Sequence, residues 1–528
     1  MMLSSSTPKP RNLAVVAFCL LFLNLIFIDH QFQFQFQKVD AQQEATSPYF
    51  NRISTFLVCS QLDPTCNVDD QTSAEIVASS PDGLQLIYTD SNLEVLGFVD
   101  ITDPTQPQPA GILSLEGEPT SAKYLNEDLA VVAVNTSPNF VNVSGLLVVV
   151  DVASQSVIAS LDLPGQPDSV DVSPDGQYIA VAIENERDED LGDGRPPQLP
   201  PGFLTVVDTS GSDDPTAWTQ QDVPMEGLDG LLFPDDPEPE FVSINEDNIC
   251  VVTLQENNGI VLVDLTTASV IASFSAGSVE SLTDIDTIEE DIITSDSTLQ
   301  NVPREPDGVI WISQDLFATA DEGDLDGGSR GWTIYNVDGE VVYTSGNFME
   351  LQTRTIGHYP EARSENKGNE PENIAYGTFD STPYAFVVSE RSSVTFVYDV
   401  TDPTSPVYKQ VLPAGAAPEG AITIPDRNLV IVASEEDARE NKIRGSIAIY
   451  EFGGDIDMYP TLISANDDAG LPIPFSALSG LAAASPYGSG APESDHLFTV
   501  EDAFYKKSRM FTIDTAQSPA LIDGSFRI

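Results

Sequence analysis

Residues 167–184 read PDSVDVSPDGQYIAVAIE, and the architecture of the whole chain turns on how that stretch is parsed. An acidic residue, Asp168, follows Pro167 and precedes an apolar run; the turn Ser173-Pro174-Asp175-Gly176 reverses the chain; a second apolar run starts at Tyr178; and Glu184 stops it. Short β-branched and aromatic runs punctuated by Pro, Asp and Gly predict strands and tight turns. The same turn stands at Ser80 to Gly83. Further runs of this kind begin at Leu129 (LAVVAVN), Gly145 (GLLVVVDV), Gly259 (GIVLVDL), Tyr384 (YAFVVSE), Val394 (VTFVYDV) and Leu429 (LVIVASE). No helix-period segment of comparable strength interrupts them, so the chain is predicted to be all-β.

The acid ahead of a strand recurs as Glu75, Glu118, Asp168, Glu240, Asp307, Glu372 and Glu419, often after proline. The spacing suits blades of roughly 40 to 50 residues with three insertions, which predicts a seven-bladed β-propeller over residues 50–455. Most of these strands lead to a second that ends in an acid or amide: Asn135, Glu184, Glu256, Asp321, Glu390 and Glu435. A third often closes on an acid, as at Asp100, Asp264 and Asp399. One fixed point per innermost strand would place seven carboxylates around one mouth of a channel, where they repel one another unless cations, arginines or main-chain amides compensate. The expected primary role of each Pro-acid pair is to turn the chain and cap loop amides, with metal binding added at some blades.

Composition narrows the partners. The 528 residues carry 83 acidic and 22 basic side chains, a formal charge of −61, which excludes nucleic-acid binding by phosphate neutralisation and points to cations or basic partners. An apolar content of 41% with 25 Phe and 15 Tyr is enough for a core. The apolar run from Leu13 to Ile28 follows Lys9 and Arg11 and leads to Val39-Asp40-Ala41, predicting a cleaved secretory signal over 1–41, with an uncleaved signal anchor as the alternative. No later stretch has the apolar length of a membrane span, so the mature chain is expected to be secreted, with the cell surface as its other location. Cys59 and Cys66 are close enough for a small disulfide loop, Cys250 is read as a buried thiol, and Asn135 and Asn142 begin glycosylation sequons.

The segments EPDGVIWI, FATADEGDLDGGSRGWTIYNVDGEVVYTSGN, YPEARSENKGNEPENIAYG and YAFVVSERSSVTFVYDVTDPTSP, with SAEIVAS and PEPEFVSINEDNICVVTLQENNGIVLVDL upstream, resemble the choice-of-anchor I propeller domain over about residues 70 to 452. That resemblance implies an extracellular setting like that of bacterial exported proteins and of mesenchyme-specific glycoproteins linked to biomineral. The tail, residues 456–528, contains PIPFSALSGLAAAS and DHLFTVEDAFYKKSRMFTIDT, which resemble the opening of a phytase-like, esterase-like domain cut short after one blade's worth of residues. It is therefore expected to be a short fragment of a second β domain.

Candidate chemistry rests on carboxylates, because three histidines leave no His/Cys zinc set, and neither His358 nor His496 has a nucleophile elbow beside it. Asp321, Glu322, Asp324 and Asp326 crowd a glycine-rich loop, and with Glu372, Glu390 and Glu419 they are the expected ligands of calcium, a hard cation that takes many oxygens. Arg330, Arg363, Lys367 and Arg391 are the expected holders of a phosphate group, with bridging between blade carboxylates as the structural alternative. Two functions follow: a calcium-dependent phosphoester hydrolase of the phytase-like class acting on phosphorylated small molecules, or a non-catalytic calcium-binding surface or matrix glycoprotein meeting divalent cations or mineral.

Overall fold

The computed structural model of the protein describes residues 48–484, 495–502 and 505–528. The expected signal segment, with Cys19 and His30, lies outside them. Among the described residues, seven four-stranded antiparallel sheets follow one another along the chain. Their first two strands are Val77–Ser79 and Gln85–Asp90 in sheet one, Glu118–Tyr124 and Leu129–Asn135 in sheet two, and Pro167–Val172 and Tyr178–Ile183 in sheet three. Sheet four opens with Val242–Ile244 and Ile249–Leu254, sheet five with Val309–Trp311 and Leu316–Asp321, sheet six with Pro371–Phe379 and Thr382–Ser389. Sheet seven opens with Pro418–Ile424 and Leu429–Ser434, continues with Ser446–Gly454, and takes its fourth strand from the other end of the described chain, Tyr49–Leu57.

The first strand of each sheet lies against the first strand of the next, and that of sheet seven lies against that of sheet one. Seven hydrophobic clusters match this order, each drawn from two neighbouring sheets. Sheets one and two share Leu96, Phe98, Val132 and Val148; sheets seven and one share Leu86, Val99, Ile431 and Ile447. A sheet covered on both faces has no solvent side, which is why second strands such as Leu129–Asn135 and Leu429–Ser434 read as unbroken apolar runs. The fold is all-β and propeller-like.

Three features lie beyond the repeat. A two-stranded hairpin, Ser278–Ile285 with Ser297–Pro303, separates sheets four and five. The helix Phe348–Ile356, closed by Gly357 at φ +75°, precedes sheet six and buries Glu350 and Arg354 one turn apart. The tail forms a five-stranded sheet in the order Leu462–Ser464, Ala520–Arg527, Arg509–Asp514, His496–Glu501, Leu478–Ala483. It has a core of its own around Phe475, Phe511, Ile513 and Ile522, and Phe475 lies against Gly357 at the end of the helix.

Candidate functional site

In sheets two, three, six and seven the first strand enters through a register irregularity. Prolines 119, 167, 371 and 418 stand at register irregularities, and proline cannot donate to the ladder there. The residue after the proline sits where neighbouring first strands are stitched together. Gly308 N–H donates to Glu372 O and Gly420 N–H to Glu75 O, both at 3.1 Å. A Cβ on Gly420 would meet the Glu75 carbonyl at 2.4 Å, so the glycine following the acid is required by close approach.

The acids at this position, Asp168, Glu240, Asp307, Glu372 and Glu419, line one cavity of about 230 Å³ with Glu322, Ser169, Thr120 and Gln255. Glu75 lies beside them; it accepts from Ser73 and Ser91, and its charge acts on Glu419. Glu118 does not belong to the set. It is exposed, and the residue after Pro119 is Thr120, whose hydroxyl faces the cavity without a partner. The counting frame of sheet two is therefore displaced by two residues from the one expected. The ends of the second strands shift similarly: the position that Glu184 holds in sheet three belongs to Gln255 and Glu322 in sheets four and five, not to Glu256 and Asp321.

Among the described residues, the carboxylates of Asp168, Glu184, Glu240, Asp307, Glu372 and Glu419 accept no hydrogen bond and form no ion pair, and all six are driven towards the neutral form. Burial and the charges of Glu186 and Glu256 raise Asp168 to about 7. Burial, then neighbouring carboxylates, hold Glu184, Glu240, Asp307, Glu372 and Glu419 well above the usual carboxylate range. A crowded set of acids, Glu184 buried and the other five half-buried, with no donors among them is an environment that a multivalent cation neutralises well. Three groups of three acids bring oxygens within 4.8 Å of one another: Asp168/Glu184/Glu240, Asp307/Glu322/Glu372 and Glu322/Glu370/Glu390.

The other expected ligands diverge. Asp321 points into sheet five, where Thr319, Ser329 and Thr333 donate to it and Arg304 lies 3.9 Å away; burial still raises it to about 6. Asp324 pairs with Arg187 and Lys367, and Asp326 with Arg195. The loop's own N–H groups at 324 and 326 are turned onto the carboxylate of Glu305. Asp321 is thus turned into sheet five, Asp324 and Asp326 line a neighbouring cleft, and only Glu322 reaches the chamber.

The basic residues are engaged by acids. Arg330, 1% exposed, donates to the carbonyls of Asp286, Ser364 and Asn366 and lies 3.4 Å from Glu350. Arg363 and Arg391 grip the two oxygens of Glu370 at 2.6 and 2.9 Å, Arg391 also reaches Glu390, and Lys367 reaches Glu322 at 3.2 Å. Arg187, which the sequence did not single out, ties Glu256 at 2.7 Å and Glu238 at 3.4 Å to Asp324. His358 is held between the Ser392 carbonyl and the Tyr459 hydroxyl, and burial lowers its pKa. Cys59 and Cys66 are disulfide-bonded and Cys250 is a buried thiol. Asn142 is exposed, while Asn135 is half-buried and accepts from the Ser137 N–H.

A family model described as the choice-of-anchor I domain matches residues 75–327 and 325–403, more than half of the chain. The chain belongs to that family. The matched part of the choice-of-anchor I domain contains every chamber acid except Glu419, and domains of this family occur in extracellular or cell-surface proteins. It is similar in structure to the WD40 repeats of RRP9 and to U3-55K, each 7% identical with a TM-score of 0.50, over 78% of this chain and 100% of the other. A virginiamycin B lyase from Staphylococcus aureus is 10% identical over 76% of this chain and 99% of its own, with a TM-score of 0.47. At these identities the likeness is one of fold alone. No curated protein matches the chain in sequence. Among the described residues, no helix is long and apolar enough to cross a membrane.

Proposed function

We propose that this choice-of-anchor I protein is a secreted, seven-bladed propeller that binds calcium in its acidic chamber and serves as a non-catalytic glycoprotein of the cell surface or extracellular matrix. Seven sheets, seven inter-sheet clusters and the contact between the first strands of sheets seven and one support the blade count. The observation that carries the calcium reading is the set of six carboxylates without a hydrogen-bond donor or cation, five of which line a 230 Å³ cavity. Oxygen-only ligands at flexible geometry suit calcium, and a formal charge of −61 raises the local concentration of cations or a mineral surface. Calorimetric titration of the purified secreted protein tests it. Saturable calcium binding is expected; no heat and no change in melting temperature at millimolar calcium would overturn it.

A second reading, a calcium-dependent phosphoester hydrolase with a phytase-like tail, is favoured by one observation. A cleft of about 590 Å³ gathers Arg187, Arg195, Arg330, Arg363 and Lys367 beside Asp324 and Asp326. This reading ranks second because all five cations are already paired with carboxylates. Calcium-dependent release of phosphate from p-nitrophenyl phosphate would promote it, and absence of turnover with calcium restored would remove it.

A further inference from the structure

The chamber repeats one three-residue arrangement around the wheel: the residue after the first-strand proline position, the residue after the second strand, and the proline-following residue of the next sheet. Read around the seven sheets, the middle position is Ser91, Asn135, Glu184, Gln255, Glu322, Glu390 and Glu435. Only in sheets three and five do all three positions carry acids whose oxygens meet, as Asp168/Glu184/Glu240 and Asp307/Glu322/Glu372. These two triads are equivalent by the repeat and differ in one respect. In sheet five, Lys367 Nζ lies 3.2 Å from one oxygen of Glu322, and the Gln255 amide donates to the other at 2.6 Å. In sheet three, no lysine, arginine or side-chain amide among the described residues reaches the carboxylates of Asp168, Glu184 or Glu240. The remaining group, Glu322/Glu370/Glu390, is neutralised by Lys367, Arg363 and Arg391.

A second, independent feature lies in sheet three. Ser169 is 2% exposed, lines the same cavity, and its hydroxyl has no partner among the described residues; such a buried hydroxyl calls for a ligand or a water, and here it stands next in sequence to Asp168 of the unneutralised triad. The triad's oxygens lie within 4.8 Å of one another. Oxygens gathered this closely can share one cation, and an oxygen-only set with flexible geometry suits calcium.

We infer that Asp168, Glu184 and Glu240, with the Ser169 hydroxyl, form the one high-affinity calcium position of the chamber, and that the equivalent position in sheet five is filled by the chain's own cation, Lys367. This inference rests on the calcium-binding reading above and assigns the ion within it. Occupation by an ammonium group blocks the middle carboxylate of the sheet-five triad, whereas the sheet-three triad leaves all three carboxylates open to an ion.

The test is calcium calorimetry on the full secreted protein and on Asp168→Asn, Glu240→Gln, Lys367→Met and, as a control at an exposed carboxylate outside the chamber, Glu246→Gln. The wild type should bind one ion tightly. Asp168→Asn and Glu240→Gln should each weaken binding by at least ~100-fold, more than loss of an outer-sphere partner costs, while Glu246→Gln keeps the site. Lys367→Met should take up a second ion. Folding is checked by circular dichroism, and the two sheet-three variants should melt no lower than the wild type in chelator, since each removes a carboxylate that no donor satisfies. If the wild type binds calcium but neither sheet-three variant weakens it, the assignment is wrong and the broader function stands. If the wild type binds none, both fall. If Lys367→Met still takes a single ion, lysine does not fill the second position.

Discussion

Removing calcium from the chamber should make the stability of the protein fall as pH rises, the reverse of what ion-paired carboxylates produce. Asp168 is raised from an ordinary 3.8 to about 7, chiefly by burial. The folded chain therefore holds a proton that the unfolded chain has released, so the stabilisation is complete below about pH 4 and is lost as pH climbs through 7. Between pH 5 and the folded value the loss from this one group is ~3 kcal/mol, at 1.36 kcal/mol per tenfold change in proton activity. A folded body of roughly 480 residues unfolds with an entropy of ~1 kcal/mol/K, so melting in chelator should drop by ~3 °C from pH 5 to pH 8 on account of Asp168 alone. Calcium at a hundred times its dissociation constant should restore ~2.7 kcal/mol at pH 8. At pH 5, where protons occupy the same oxygens, it should restore little. The assay is differential scanning calorimetry of wild type and Asp168→Asn, in chelator and in calcium, at both pH values. Equal pH slopes in the two proteins, or a calcium gain at pH 5 matching that at pH 8, would refute the reasoning.

Other consequences can be measured independently. Arg187→Met strands Glu256 and Glu238 inside the protein and should cost ~3–5 kcal/mol by denaturant titration, with the double variant Arg187→Met/Glu256→Gln recovering a large part. Thr120→Glu adds a further carboxylate at the chamber position of sheet two; in chelator it should lower the melting temperature at pH 8 and hardly at pH 5. Breaking the Cys59–Cys66 bridge, which closes a loop with a sequence separation of 7, should cost ~2–3 kcal/mol in reversible unfolding. Expressed through a secretory pathway, the protein should carry a glycan on exposed Asn142, read as a mobility shift that Asn142→Gln abolishes.

The propeller-like fold was legible because the repeat is written in residues that cannot be exchanged freely. A proline at a strand's irregular start, an acid after it and, in EPDG and APEG, a glycine against the neighbouring backbone all answer local demands that survive without knowledge of the tertiary structure. Sheet two shows where that legibility ends. Glu118 and Pro119 look like the motif with its order reversed, and only the pairing of Pro119 with Val134 shows that Thr120 holds the chamber position. The glycine-rich acidic loop misled for a related reason. Spacing along the chain places Asp321, Glu322, Asp324 and Asp326 together, but partners distant in sequence, Arg304, Arg187 and Arg195, draw three of them apart. The chamber itself, by contrast, joins residues as remote as Asp168 and Glu419. No local pattern announces Ser169 or Gln255, and the role of Arg187 depends on sheets three, four and five having already packed.

The strand Tyr49–Leu57 gives the molecule an unusual order of assembly. It precedes every other described strand in synthesis, yet its partner Ser446–Gly454 follows only after about 390 further residues. During that interval an extended, half-apolar ribbon waits with its ladder unfilled, exposed to misplaced pairing and suited to a holding chaperone. The wheel latches only when the last sheet arrives, so nascent chains should gain protease resistance late and abruptly. A circular permutant carrying this ribbon directly after Gly454 would have a far shorter loop to close, and should refold faster while keeping the same sheets.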